Sequence, residues 1–270
     1  MADDEFFDEI IQSAVRDARR RGVRVAPAVW EALQKPAAPP RVEDVPERAP
    51  QPPVGPREDN AAPAPVRART AVLAATVLKT VAAPPPILPN DWEALRQAAL
   101  QCRRCRLAET RHSVVFGEGD LHAGLMFIGE GPGADEDAAG RPFVGEAGRL
   151  LDKMILAMKF RREEVYIANV VKCRPPGNRV PQDDEAAECI GYLRKQIELV
   201  RPEVIVLLGA TALRFLLGKE GIRRCRGVWH DYRGIPVMPT YHPAYLLRQN
   251  AAKRDVWNDL KLVMKHFGKL

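Results

Sequence analysis

From residue 90 onward the chain alternates short, almost wholly apolar runs with amphipathic helical stretches, and this alternation restricts its fold more than any other feature. The runs are 125–129 (LMFIG), 165–171 (VYIANVV) and 204–209 (VIVLLG), with a shorter one at 235–239. A strand with one face in water alternates apolar and polar residues, whereas a strand buried on both faces does not. Between the runs, residues 147–158, 183–200 and 210–217 have helical periodicity, and a closing helix places Trp257, Leu260, Met264 and Phe267 on one face. Residues 91–100 read as a further helix with Asn90 as its N-cap. Strands and helices in this alternation predict an α/β three-layer sandwich, with a central parallel four-stranded sheet between helices. Ligands in such sheets bind at the carboxyl ends of the strands, so the chemistry is sought there.

The first ninety residues differ in kind. They hold 15 of the 24 prolines and none of the five cysteines. Residues 3–21 read as an amphipathic helix, with Phe6, Ile10 and Ala14 in one row, Phe7, Ile11 and Val15 in another, and Gly22 as C-cap. Residues 36–66 are dominated by Pro, Ala and charge, a composition that buries too little apolar surface to offset chain entropy, so disorder is expected. Residues 71–83 suit a short helix ended by Pro84–86. The organisation expected is therefore a largely disordered extension over 1–89 and a folded domain over 90–270. The N-terminal helix could meet a protein partner or pack on its own domain; the sequence leaves both open.

Charge follows the same division. Residues 1–90 are balanced, with 12 basic and 12 acidic side chains, so the net charge of +6 belongs to the second part. A basic folded domain favours a polyanion, although a surplus this small also fits an ordinary solvated surface. The acidic start MADDEFFDEI lacks the basic region of a signal peptide. No apolar run approaches the ~18 residues of a membrane span, so a cytoplasmic chain is expected, with reduced thiols.

Three segments follow strand ends. The first is GEGPGADED at 129–137, continuing to GRPFVG at 140–145; its glycines allow close backbone approach to a ligand, but it lacks the Lys-Ser/Thr of a Walker loop. The second is Asn169, an amide in an otherwise apolar strand. Left unpaired in the interior it would cost ~1–3 kcal/mol, so either a ligand or a neighbouring loop must satisfy it. The third is PTYHPAYLLR at 239–248, where His242 is held beside a proline. Single His and Asn residues are more often structural than catalytic; for His242, its position just past a strand, followed by apolar residues and an arginine, raises the functional reading.

The cysteines form a fourth group. Cys102-x2-Cys105, with Cys173 and Cys189 further along, supplies four thiolates, which suit either zinc or an iron–sulfur cluster. Cys102 and Cys105 lie in CRRCR, where a buried structural thiol is not expected. Cys225, in RRCRG, is left over as a free thiol.

Together these segments resemble the family 4 uracil-DNA glycosylases, the iron–sulfur branch of that superfamily. The resemblance rests on GEGPGADED…GRPFVGEAGRLLD, YIANVVKCRPPGNRVP and PTYHPAYLLR, and covers roughly residues 91–270. It implies hydrolysis of the bond between uracil and deoxyribose in DNA, leaving an abasic site for base excision repair. It implies a structural 4Fe–4S cluster on Cys102, Cys105, Cys173 and Cys189. It implies a bacterial or archaeal type of enzyme, cytoplasmic and nucleoid-associated, acting as a monomer on uracil-containing DNA. By the same resemblance Phe143 stacks on the flipped base, Asn169 reads its edge, and His242 stabilises the charge on the departing uracil. Gly131 supplies backbone N–H groups, and Gly133 or Glu136 forms the wall that excludes thymine. Tyr245, Leu246 and Leu247 wedge into the stack while Arg248 holds phosphate. Glu130 is the nearest carboxylate for positioning water; a related branch has Asp where this chain has Gly131.

Two alternatives are weighed. One related branch becomes covalently trapped on its product and carries a basic, His-bearing loop after the Asn strand; here that stretch is KCRPPGNR, without His. A non-catalytic iron–sulfur DNA-binding module would not require Phe143, Asn169 and His242 together.

Overall fold

The computed structural model describes residues 5–20 and 88–270. The expected linker at 36–66, the short helix at 71–83 and the Gly22 cap lie outside them. Helices α1 (Glu5–Arg20), α2 (Trp92–Leu100) and α3 (Leu107–Thr110) precede the sheet. Its strands are β1 (Glu118–Gly119), β2 (Leu125–Gly129), β3 (Tyr166–Asn169), β4 (Val204–Leu208), β5 (His230–Tyr232) and β6 (Ile235–Thr240). Helices α4 (Ala134–Ala139) and α5 (Glu146–Ala157) join β2 to β3, and α6 (Asp183–Val200) joins β3 to β4. Helices α7 (Ala210–Leu217) and α8 (Ile222–Cys225) lead to β5; α9 (Pro243–Leu246) and α10 (Ala252–His266) follow β6.

The strand order is β1-β3-β2-β4-β6-β5. The inner four strands, β3-β2-β4-β6, are parallel, as the apolar runs predict. The sheet has six strands rather than four, because β1 and β5 add antiparallel edges. Neither edge has an apolar run to betray it: β1 is Glu-Gly, and β5 is His-Asp-Tyr, partly exposed throughout. The β5–β6 hairpin turns through Arg233 and Gly234, both at positive φ, the backbone that a two-residue hairpin turn demands.

Alternate residues of the inner strands point to opposite faces. Met126, Ile128, Ala168, Ile205 and Leu207 join Leu95 of α2, Leu193 and Ile197 of α6 and Leu213 of α7 in one core cluster. Leu125, Phe127, Ile167, Val204 and Val206 join Leu151 and Met154 of α5 and Val256, Leu260 and Val263 of α10 in the other. Phe7 and Ile11 of α1 are buried in this second cluster, with Phe7 edge-on to Trp257 at 6.3 Å and Asp8 paired to Lys153 at 2.8 Å. The apolar face of the N-terminal helix is thus taken up by the chain's own α5 and α10. Helix α2 is capped by Asp91, whose Oδ1 accepts from Ala94 N at 2.8 Å, and not by Asn90, whose Oδ1 instead accepts from Lys195.

Strands β3 and β4 flank β2, so successive connections leave β2 in opposite directions and open a crevice above the carboxyl ends of β2 and β4. There Gly129 O accepts from Val170 N at 3.0 Å, joining the ends of β2 and β3, and Gly209 N donates to Thr240 O at 2.9 Å, joining those of β4 and β6.

Candidate functional site

Asn169 is the last residue of β3 and is buried, and its Oδ1 has no hydrogen-bond partner. An orphan acceptor costs ~1–3 kcal/mol unless something later satisfies it. Its neighbours define the space it faces. A Cβ on Gly129 would stand 2.4 Å from Asn169 Oδ1 and 2.5 Å from Phe143 Cζ, so only glycine fits between them. The Phe143 ring lies 5.6 Å from the His242 ring, inclined by 30°. Residues 143, 169 and 242, remote in sequence, are therefore neighbours at the strand ends.

His242 begins α9, and its Nδ1 accepts from Ala244 N at 3.2 Å. An Nδ1 engaged as acceptor leaves the proton on Nε2, which becomes the donor. Burial pushes the imidazole pKa down to about 4, so the ring is neutral at physiological pH. Gly209 permits this placement: it has φ 92°, and a Cβ there would meet His242 Cβ at 3.1 Å. Glu130 follows β2 and accepts a hydrogen bond from the Thr211 hydroxyl at the start of α7. Burial raises its pKa, against the opposing effect of that hydrogen bond.

Phe143 has φ 51°, unusual for a bulky residue, and this strain is held from two sides. Glu136 Oε1 accepts from Val144 N and Gly145 N, both at 2.9 Å, and its Oε2 accepts from Gly133 N at 3.0 Å. Arg162 donates to Pro142 O at 2.6 Å and Phe143 O at 3.2 Å. Gly133 is the N-cap of α4, and its N–H is spent on Glu136. Gly131 packs against Val171, whose Cγ2 would be 2.6 Å from a Cβ at position 131.

The residues expected to wedge into DNA divide. Tyr245 is partly buried against Tyr241, with centroids 5.0 Å apart; Leu247 is partly exposed, and Arg248 is exposed. Leu246 departs from the expectation: it is fully buried in the core cluster against whose edge the partly buried Tyr245 and Leu247 also pack.

All four predicted cysteines line one small cavity between α2, α3, α6 and the end of β3, together with Arg104, Arg111, Lys172 and Tyr192. Arg111 Nη1 donates to Cys173 Sγ at 3.1 Å, and Lys172 N donates to Cys189 Sγ at 3.2 Å. Arg104 lies over the Tyr192 ring at 4.7 Å, while its Nε and Nη2 are buried without hydrogen-bond partners, Nε lying 4.0 Å from Glu188 Oε2. Burial pushes the Cys189 thiol up to about 12 and Cys173 upward as well, so both would stay protonated unless a positive centre took their protons' place. Among the described residues, no three His, Cys, Asp or Glu side chains gather as a single metal ion requires. Cys225 lies apart, with Sγ directed to Glu220 O.

Sequence reasoning missed Thr211, Lys172, Gln196, Arg104, Arg111 and Arg162. Only Lys172 left a local trace: a lysine directly after the buried run Ala168–Val171 is a charge where the pattern calls for an apolar residue.

The profile of the Uracil DNA glycosylase superfamily matches residues 116–261. A type-4 uracil-DNA glycosylase of Thermotoga maritima is 48% identical over 174 residues, covering 63% of this chain and 91% of the relative. One of Saccharolobus solfataricus is 43% identical over 184 residues, covering 64% and 85%. A type-5 uracil-DNA glycosylase of Pyrobaculum aerophilum is 34% identical over 146 residues, covering 47% and 64%. Among the described residues no helix is long and apolar enough to cross a membrane. With its parallel sheet, the family profile over more than half of its length and these relatives, the chain belongs to the uracil-DNA glycosylase superfamily, in the type-4 family.

Proposed function

We propose that this protein hydrolyses the N-glycosidic bond of uracil in DNA and leaves an abasic site. The observation that carries the reading is the orphan Oδ1 of Asn169, buried beside Phe143 and His242. A glycosidic bond inside a stacked duplex is out of reach, so the nucleotide flips into the cavity. Uracil stacks on Phe143. Its ring N–H donates to Asn169 Oδ1, and the Asn169 amide donates to the adjacent carbonyl. Cytosine presents the reverse polarity on part of that edge and leaves buried groups unpaired. The segment from Gly133 to Glu136, locked by the Glu136 hydrogen bonds, is assigned as the wall against the thymine methyl.

As the bond breaks, negative charge grows on uracil and positive charge on the sugar. The neutral His242 presents Nε2–H to the uracil oxygen that gains charge, a donor fixed before the reaction begins. Glu130, oriented by Thr211, positions water or stabilises the sugar cation. Tyr245, Leu247 and Arg248 are assigned to the DNA, the first two beside the gap left by the flipped base and Arg248 on phosphate.

The cysteine cavity suits a 4Fe–4S cluster. Four thiols surround it, and the buried Arg104 donors that lack hydrogen-bond partners suit an anionic group inside. Cys102, Cys105, Cys173 and Cys189 would hold such a cluster, which would serve structure by cross-linking the α2–α3 segment to β3 and α6. The partner is uracil-containing DNA, bound by a monomer.

Release of free uracil from a synthetic strand with one uracil tests this function. Catalytic release leaving an alkali-labile site is expected. A stable protein–DNA adduct would assign the chain to covalent trapping, and DNA binding without release would make it a non-catalytic module.

A further inference from the structure

Three residues separate the amide of Asn169 from the cysteine cavity, and each is tied down. Val170 N donates to Gly129 O at 3.0 Å, Val171 N to Glu130 O at 3.2 Å, and Lys172 N to Cys189 Sγ at 3.2 Å. The side chain of Lys172 then turns back on its own segment. Its Nζ donates to Asn169 O at 2.9 Å and to Gln196 Oε1 at 2.6 Å. Gln196 is held in turn, because its Nε2 donates to Phe116 O at 2.9 Å and Tyr166 Oη at 3.0 Å.

Lys172 is only 2% exposed, and its two hydrogen-bond acceptors are a carbonyl and an amide, neither of them a carboxylate. A lysine in such a place is costly; packing alone would be served as well by methionine. The charge therefore has a task that an apolar side chain would not perform. Its ammonium is anchored on α6 through Gln196 and grips the carbonyl of Asn169, whose side-chain Oδ1 is left without a hydrogen-bond partner.

We propose that Lys172 is a positioning residue for base recognition: by holding the Asn169 carbonyl against Gln196 it fixes the direction of the Asn169 amide, and the same residue's N–H on Cys189 ties that direction to the cysteine cavity. The proposal rests on Asn169 as the base-reading residue. A carbonyl released from Lys172 allows the peptide after Asn169 to rock, and the amide then meets uracil with its geometry unset.

The test compares Lys172→Met, Gln196→Met and Asn169→Ala with the unaltered protein, each purified with its visible iron–sulfur absorption recorded. Two affinities are measured: free uracil, as an inhibitor, and DNA with an abasic site, which presents no base. Lys172→Met is expected to keep the visible band and to bind abasic DNA within about twofold, while losing roughly tenfold in affinity for free uracil. Gln196→Met, which leaves the ammonium on Asn169 but removes its anchor, is expected to lose about threefold for uracil alone, and it decides the matter if Lys172→Met does not hold the band. Unchanged uracil affinity in a variant that keeps the band overturns the proposal, and so does equal loss for uracil and abasic DNA. Asn169→Ala separates the two claims. If it too binds uracil normally, the reading of Asn169 is at fault; if it loses uracil while Lys172→Met does not, only the positioning role is.

Discussion

At the scale of single residues, the site depends on side chains whose hydrogen-bonding state is settled before any ligand arrives. His242 illustrates this with a pH signature. Its folded pKa of about 4 lies below the ordinary imidazole value of 6.5, so on acidification the unfolded chain takes up a proton that the folded chain refuses. The stability associated with a neutral His242 is intact above about pH 6.5 and is lost as pH falls toward 4. Thermal unfolding of the unaltered protein and of His242→Gln between pH 7 and 4 should show the unaltered protein losing stability relative to the variant on the acid side. Asp259, which burial raises to about 6, slopes the opposite way but is common to both proteins. A gap independent of pH would show that the ring titrates normally. Phe143, Asn169 and His242 were legible because each lies in a motif beside a strand end. Lys172, Gln196 and Thr211 were not: Gln196 meets Lys172 across 24 positions and Thr211 meets Glu130 across 81, and no local pattern records such pairings.

At the scale of elements, the loop before α5 carries the aromatic floor of the cavity and is packed without slack. Gly148 of α5 lies under it: a Cβ there would be 2.0 Å from Phe143 O, a backbone atom that cannot move aside freely. Gly148→Ala should destabilise the fold by about 1–3 kcal/mol in denaturant unfolding and weaken free-uracil inhibition by displacing Phe143. An alanine accepted with neither effect would mean that the loop is not held as described. Helix α1 offers a separate test. Phe7 is buried among α5 and α10 residues, so Phe7→Ala should cost about 3–5 kcal/mol, read as a lower unfolding midpoint, and an unchanged midpoint would show that α1 does not belong to the core. The parallel strands were legible because burial on both faces leaves a continuous apolar signature. The edge strands were not, since a strand half in water and two or three residues long leaves none. The Tyr245-Leu246-Leu247 run misled for a related reason: neighbours on one helical turn are buried to different depths, and Leu246 is the one wholly within the core.

At the scale of the whole molecule, two stations stand close together, the Phe143, Asn169 and His242 cluster at the strand ends and the cysteine cavity at the flank, joined by the end of β3. The second is expected to stabilise the fold rather than to react. Cys173→Ser should lose the visible absorption and lower the unfolding temperature, while any protein that remains folded still releases uracil. Loss of release in folded protein of unchanged stability would give the cluster a direct part in the chemistry. The central claim is that Asn169 identifies the base, and the most direct measurement is single-turnover base release by Asn169→Asp from matched strands carrying uracil or cytosine. A protonated Asp offers cytosine the donor and acceptor that Asn offers uracil, so uracil release should fall by about a hundredfold or more while cytosine release becomes detectable. Uracil release at the original rate, with no cytosine freed, would contradict it.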